Sequence, residues 1–185
     1  KSFQLAVNVS ARQLVDPGLV AHVDDTIRTL GIEPSWLLLE VTETALVTNV
    51  EGSAARLAEL KALGVALAID DFGTGNASLS YLHRYPVDVV KIDCSFVASL
   101  GSGGRAEAVS RAVIRLPQDL HIGTVAEGVE AAEQIQLLRL LGCDLAQGYY
   151  FSRPLPADEL FPLLEAPTPF ATALRTARTR LALAS

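Results

Sequence analysis

Asp70 and Asp71 stand side by side at the end of the apolar run Ala66-Leu-Ala-Ile and are followed by Phe72-Gly-Thr-Gly75. Successive residues of a regular strand point to opposite faces. Two adjacent carboxylates therefore serve one site only where the strand ends and the backbone turns, and Gly73 and Gly75 are expected to supply that turn. Crowded carboxylates repel, and hard divalent cations are their natural counter-charge. A helix cap or an Asp-Gly type of turn accounts for one aspartate but not for the pair. Metal ligation is the chemistry expected here.

Further ionisable residues follow other apolar runs. Glu40 comes after Leu37-Leu-Leu, where an unpartnered carboxylate would be costly to bury. Glu43 falls beyond that run, and two readings stay open for it, a solvated rim or an anchor for a neighbouring loop. Lys91 and Asp93 are two residues apart and share a face. The ammonium either holds a water or a phosphoryl oxygen or forms an internal salt bridge with Asp93 or Asp71. Glu127, between Thr-Val-Ala and Gly128, is a candidate base or metal ligand, and Glu130 is expected to initiate a helix. Asn8 offers a neutral oxygen ligand or a strand-end cap. Gln147 offers a donor and an acceptor beside Gly148, which admits close approach of a ligand.

Six short segments must position these residues: Leu5–Asn8, Leu37–Glu40, Ala66–Asp71, Val89–Asp93, Gly123–Glu127 and Cys143–Gln147. Each ends in a polar or ionisable group. Between them, apolar residues recur at helical spacing over about 17–30, 50–63, 104–117, 130–141 and 156–165. Continuous apolar strands alternating with amphipathic helices describe parallel strands buried on both faces, with chemistry gathered at their carboxyl ends. The expected fold is α/β, a TIM-like (β/α) barrel. A closed barrel ordinarily needs eight strands over about 250 residues, so the barrel is expected to be incomplete at six, with N-terminal strands missing. Residues 1–165 are expected to form the domain. Residues 166–185 form a tail with a weak amphipathic stripe at Leu174, Ala177, Arg178 and Leu181. Trp36 is expected between helix and sheet, and Cys94 and Cys143 as buried free thiols inside strand-like segments.

The chain has 185 residues, half of them hydrophobic, which supports a sizeable core. Fifteen basic against twenty-one acidic residues give a net charge of −6, unsuited to gripping a nucleic-acid polymer. No apolar run reaches the roughly 20 residues of a membrane-spanning helix, and no signal peptide is recognisable. A reducing cytoplasm is the expected location. His22, His83 and His121 do not cluster by spacing, and no dinucleotide-binding or Walker pattern appears.

In order and spacing, Asn8-Val-Ser10, Glu40-Val-Thr-Glu43, Asp70-Asp-Phe-Gly-Thr-Gly75, Lys91-Ile-Asp93, Ala126-Glu-Gly-Val-Glu130, Gln147-Gly-Tyr149 and Phe151-Ser-Arg-Pro154 resemble the EAL family of cyclic di-GMP phosphodiesterases. The resemblance implies hydrolysis of cyclic di-GMP to linear pGpG with two Mg²⁺ or Mn²⁺ ions. It implies metal ligation by Asn8, Glu40, Asp70, Asp71, Asp93 and Glu127, a water held by Lys91, and Glu127 as its base. Ser10, Glu43, Gln147, Glu130, Arg153 and Pro154 would serve the substrate or the adjoining loop, with Glu43 anchoring residues 72–80. A homodimer attached to sensory domains is the assembly it implies. The Glu-Ala-Leu segment that names the family is not among these residues, and Asn76-Ala77 stand where Tyr-Ser is more usual. A noncatalytic cyclic di-GMP receptor or a regulatory platform on the same barrel is the alternative.

Overall fold

The computed structural model describes residues 4–48, 50–75 and 82–165, so the expected tail helix and loop residues 76–80 lie outside it. The elements run β1 (Leu5–Val9), α1 (Ala11–Leu14), α2 (Leu19–Leu30), a 3₁₀ turn (Pro34–Trp36), β2 (Leu37–Thr42), α3 (Glu43–Thr48) and α4 (Val50–Ala62). They continue β3 (Ala66–Phe72), β4 (Val89–Ile92), α5 (Cys94–Ala98), α6 (Gly104–Asp119), β5 (Gly123–Ala126), α7 (Ala132–Leu140), β6 (Leu145–Ala146) and α8 (Ala157–Glu165). All six strands pair in parallel in the order β1-β2-β3-β4-β5-β6, an open arc of the expected barrel. No described helix is long and apolar enough to cross a membrane.

Strand periodicity sorts the side chains into two layers. Val9, Leu39, Val41, Leu67, Ile69, Val90, Ile92 and Ala126 join one core with Ile27 of α2, Leu57 and Leu60 of α4, Ile114 of α6 and Leu138 of α7. The alternate residues, among them Asn8, Glu40, Ala68 and Lys91, line the other face, and the register sets Asn8 opposite Glu40 and Glu40 opposite Ala68. Burial on both faces holds for the central strands: Leu38 and Ala68 are buried opposite the helix layer. It does not hold at the edges, where Leu5 is 54% and Leu145 62% exposed.

Three short helices, α1, α3 and α5, were not expected. Each starts within two residues of a strand and spans only four to six residues, too few to show a helical period. Local caps make two of them. Ser10 and Gln13 exchange hydrogen bonds in a capping box before α1, and Asp93 accepts from the Ser95 amide to open α5.

Two environments differ from expectation. Trp36 sits in the 3₁₀ turn and is 48% exposed, because Leu37 and not the indole enters the sheet. Cys94 is exposed at the start of α5, and Cys143 is partly buried just before β6, so both thiols are free but neither lies in a strand. The helix expected from 130 begins at Ala132. Gln134 Oε1 accepts from the Glu130 and Ala131 amides and does the capping expected of Glu130.

After β6, Gly148 passes against the segment that follows β5: a Cβ there would collide with both Val129 N and Val129 O. These are backbone atoms, and Val129 N also donates to Gln147 O, so they cannot move aside cheaply. Gly148→Ala is expected to destabilise the domain by about 1–3 kcal/mol in a urea titration. Gly31→Ala, where nothing lies within 4 Å, meets only backbone strain and should lose less. Equal midpoints for the two variants would contradict the packing described.

Candidate active site

At the carboxyl ends of β2 to β5, one buried ammonium meets three carboxylates. Lys91 Nζ lies 2.9 Å from Glu40 Oε2, 2.9 Å from Asp70 Oδ1 and 2.8 Å from Glu127 Oε1. The salt bridge considered for Lys91 is therefore real, but its partners are these three residues and not Asp93 or Asp71. Burial by itself pulls the Lys91 pKa down. The hydrogen bonds that Lys91 donates to Glu127, Glu40 and Asp70 together outweigh it and hold the ammonium above its ordinary range.

The carboxylates are not fully compensated. Asp70, Asp71 and Glu127 each bring an oxygen within 4.8 Å of the others. Burial raises the Glu127 pKa; the Lys91 hydrogen bond and charge offset this in part, and Asp70 and Glu40 push it further up. Burial likewise raises the Asp71 pKa, with Asp70 and Asp93 adding to it. An all-oxygen donor set with excess negative charge is the environment a hard divalent cation neutralises.

Both aspartates reach the site by a route different from the expected turn. β3 does not end at the aspartates but runs on through them to Phe72. Ile69 pairs with Val90 and Phe72 with Ile92, so β3 advances three residues while β4 advances two, and the extra residue makes a bulge. Within it Asp71 adopts φ 55, which rotates its side chain toward the side of Asp70. The glycine turn comes next: Gly73, at φ 93, donates its N–H to Glu43 Oε2 at 2.9 Å. A Cβ on Gly75 would collide with Glu43 Oε1. Glu43 is buried and anchors the start of this loop, which decides between its two readings.

The remaining site residues divide. Gln147 Nε2 donates to Glu127 Oε1 at 2.6 Å and joins the cluster. Asn8 lies beside Glu40 in the register, on the exposed edge strand. Asp93 is not part of the three-carboxylate convergence. Burial raises its pKa, but bonds from Ser95 and Cys94 more than reverse this and leave it lowered. Ser10 is turned to Gln13 at the α1 cap. Glu130, Arg153 and Pro154 line a cavity of about 720 Å³ that also reaches Glu127 and Gln147, and the Arg153 guanidinium stacks 4.6 Å over the Tyr149 ring. Sequence reasoning missed Ser95 and Gln134 in that wall. They come from the starts of two helices and carry no spacing signal of their own.

A family model described as EAL domain matches residues 1–154. The cyclic di-GMP phosphodiesterase NbdA of Pseudomonas aeruginosa is 44% identical over 163 residues, which are 88% of this chain and 21% of NbdA. The structure of the Pseudomonas aeruginosa phosphodiesterase PaMucR in complex with c-di-GMP superposes with a TM-score of 0.80 at 41% identity, covering 85% of this chain and 64% of PaMucR. The manganese/cy-diGMP complex of Klebsiella pneumoniae BlrP1 matches at 38% identity and TM-score 0.76, over 83% of this chain and 39% of BlrP1. A parallel α/β arc with acidic strand ends is thus the architecture of a known class, and this chain belongs to the EAL domain family. It spans about a fifth of the length of the curated relatives it matches.

The raised Asp71 pKa has a direct consequence for stability. The folded state binds this proton more tightly than the unfolded state does. Stability is therefore lost as pH rises from the ordinary carboxylate range through the raised folded value. A neutral isostere removes that penalty. In chelator at neutral pH, Asp71→Asn is expected to melt no lower than the wild type and slightly above it, a gap that closes in acid where Asp71 is protonated in both states. A variant that melts well below the wild type in chelator would contradict the uncompensated charge assigned to Asp71.

Proposed function

We propose that this domain hydrolyses cyclic di-GMP to linear pGpG and requires two Mg²⁺ or Mn²⁺ ions. The observation that carries this reading is the meeting of Lys91 with Glu40, Asp70 and Glu127, while Asp71 brings a further carboxylate oxygen to the same place. The names of NbdA and PaMucR as phosphodiesterases, and the cyclic di-GMP in the PaMucR complex, support the substrate. The manganese in the BlrP1 complex supports the cation.

Asp70, Asp71 and Glu127 fit a divalent cation by donor type and proximity, and Glu40 and Asn8 extend the oxygen set along the neighbouring strands. Asp93 would join only by sharing the carboxylate that Ser95 now holds. The ions, when bound, neutralise the carboxylates, make water more acidic and stabilise charge on the leaving oxygen. The residues themselves supply position. Lys91 orients Glu127 and Asp70, and Gln147 fixes the same Glu127 oxygen from the other side. Glu127 would accept a proton from the attacking water while the oxygen of that water bonds to phosphorus and the P–O3′ bond breaks, and the departing O3′ would take a proton from solvent to become the 3′-hydroxyl of the linear product. The cavity beside Glu127 and Gln147, polar at Glu130 and Arg153, gives room for a purine nucleotide.

Two outcomes test this. Chelator should abolish product formation followed by chromatography, Mn²⁺ or Mg²⁺ should restore it, and Ca²⁺, larger and looser in coordination, should support less. Full turnover in excess chelator would contradict the reading. Glu127→Gln should lower turnover by about 10²-fold or more while cyclic di-GMP still binds. Wild-type protein that binds cyclic di-GMP and never turns it over, with any of these metals, would favour the receptor reading.

A further inference from the structure

We propose that Gln134 is a positioning residue for Glu130: its side-chain oxygen fixes the backbone from which Glu130 lines the cavity beside Glu127, and so sets affinity for the nucleotide without entering the chemistry. Gln134 Oε1 accepts from Glu130 N at 2.8 Å and from Ala131 N at 3.0 Å. These two N–H groups belong to the peptide planes on either side of the Glu130 Cα, and only φ and ψ of Glu130 relate one plane to the other. Both N–H groups reach a single oxygen over a narrow range of those dihedrals, as in other concave runs of backbone amides. The direction in which the Glu130 side chain leaves the backbone follows from them.

The segment from Glu127 to Ala131 is held at three places. Glu127 N donates to Ile92 O at 3.0 Å, and Val129 N donates to Gln147 O at 3.0 Å. These backbone contacts with β4 and with the segment after β6 fix the Glu127 end. Beyond Val129 the holder is the Gln134 side chain. Two donated N–H groups identify the accepting atom as its oxygen, which turns Nε2 toward Val97 O on α5 at 3.4 Å. α5 lines the same cavity with Cys94, Ser95 and Ala98. Gln134 therefore spans from the wall that carries Glu130 to the wall that α5 forms. Because Glu127 is held without its help, loss of Gln134 should weaken binding and spare turnover.

The inference rests on reading this cavity as the nucleotide site, and the measurements separate the two. Gln134→Met, Gln134→Glu, Glu130→Ala and the Glu130→Ala/Gln134→Met pair are compared with wild type in the full chain, below the melting transition of each. At saturating Mn²⁺, Gln134→Met should raise KM for cyclic di-GMP about tenfold and leave kcat within about twofold of wild type. On the Glu130→Ala background the same substitution should change KM less than about twofold, since its effect passes through Glu130. In crystals without nucleotide, Gln134→Met should show the Glu130 backbone displaced, while Gln134→Glu, which keeps an oxygen for both amides, should show it in place. A wild-type KM in Gln134→Met, a full tenfold effect on the Glu130→Ala background, or an undisplaced Glu130 in Gln134→Met would each overturn the proposal. If Gln134→Met does not fold, a displaced Glu130 in Gln134→Glu overturns it and an undisplaced one upholds it. Wild type that neither binds nor hydrolyses cyclic di-GMP would refute the nucleotide reading, and the crystal structures would then decide the role of Gln134 by themselves.

Discussion

One buried ammonium serving three carboxylates is the constraint on which the rest of this structure depends. Among the described residues Lys91 is the single cation in contact with Glu40, Asp70 and Glu127, and these come from β2, β3 and the end of β5. Isolated in a low-dielectric interior, each of these charges would be strongly disfavoured. Brought together they fix the relative heights of four strands, because a one-residue slip of any strand would move its charged side chain to the helix-covered face. The ion cluster therefore acts as a register lock as well as a site. Net negative charge remains after Lys91 is counted, and this excess makes the mouth a place for added cations.

The same logic explains why the site concentrates its irregular backbone in one place. A regular β3 can direct only one of two adjacent aspartates to the concave face. The bulge and the positive φ of Asp71 are what bring the second, and the turn held by Glu43 and Thr74 follows directly. Opposite them, the close approach of Gly148 to Val129 holds the segments after β5 and β6 together, so that Gln147 reaches Glu127. Rigid strands carry the charges, and two tight backbone contacts aim the residues that strand geometry alone would misplace.

Much of this was legible in the sequence. Six apolar segments ending in polar residues marked all six strands, and the helical period marked the five longer helices. Strand-end position also marked Glu40, Asp70, Asp71, Lys91, Glu127 and Gln147, which do lie at one end of the sheet. What escaped has physical reasons. Helices of four to six residues are made by caps and not by periodicity, so α1, α3 and α5 left no repeating trace. The partners of Lys91 depend on which strands are neighbours and at what stagger, and a sequence read segment by segment favours the near residue Asp93 over the distant Glu40. Asp93 follows its strand by one residue, where its carboxylate is claimed by the helix that starts there. The bulge at Asp71 was inferred only as a turn, since a two-for-one pairing is visible only once β4 is laid beside β3.

The central claim is that these carboxylates form a divalent-cation centre built around Lys91. Its most direct test is anomalous scattering at the manganese absorption edge from crystals of the protein grown with Mn²⁺. The account predicts anomalous density within ligand distance of Asp70, Asp71 and Glu127, with Lys91 still in contact with the carboxylates. Fully occupied manganese elsewhere on the molecule, with none at this mouth, would contradict it.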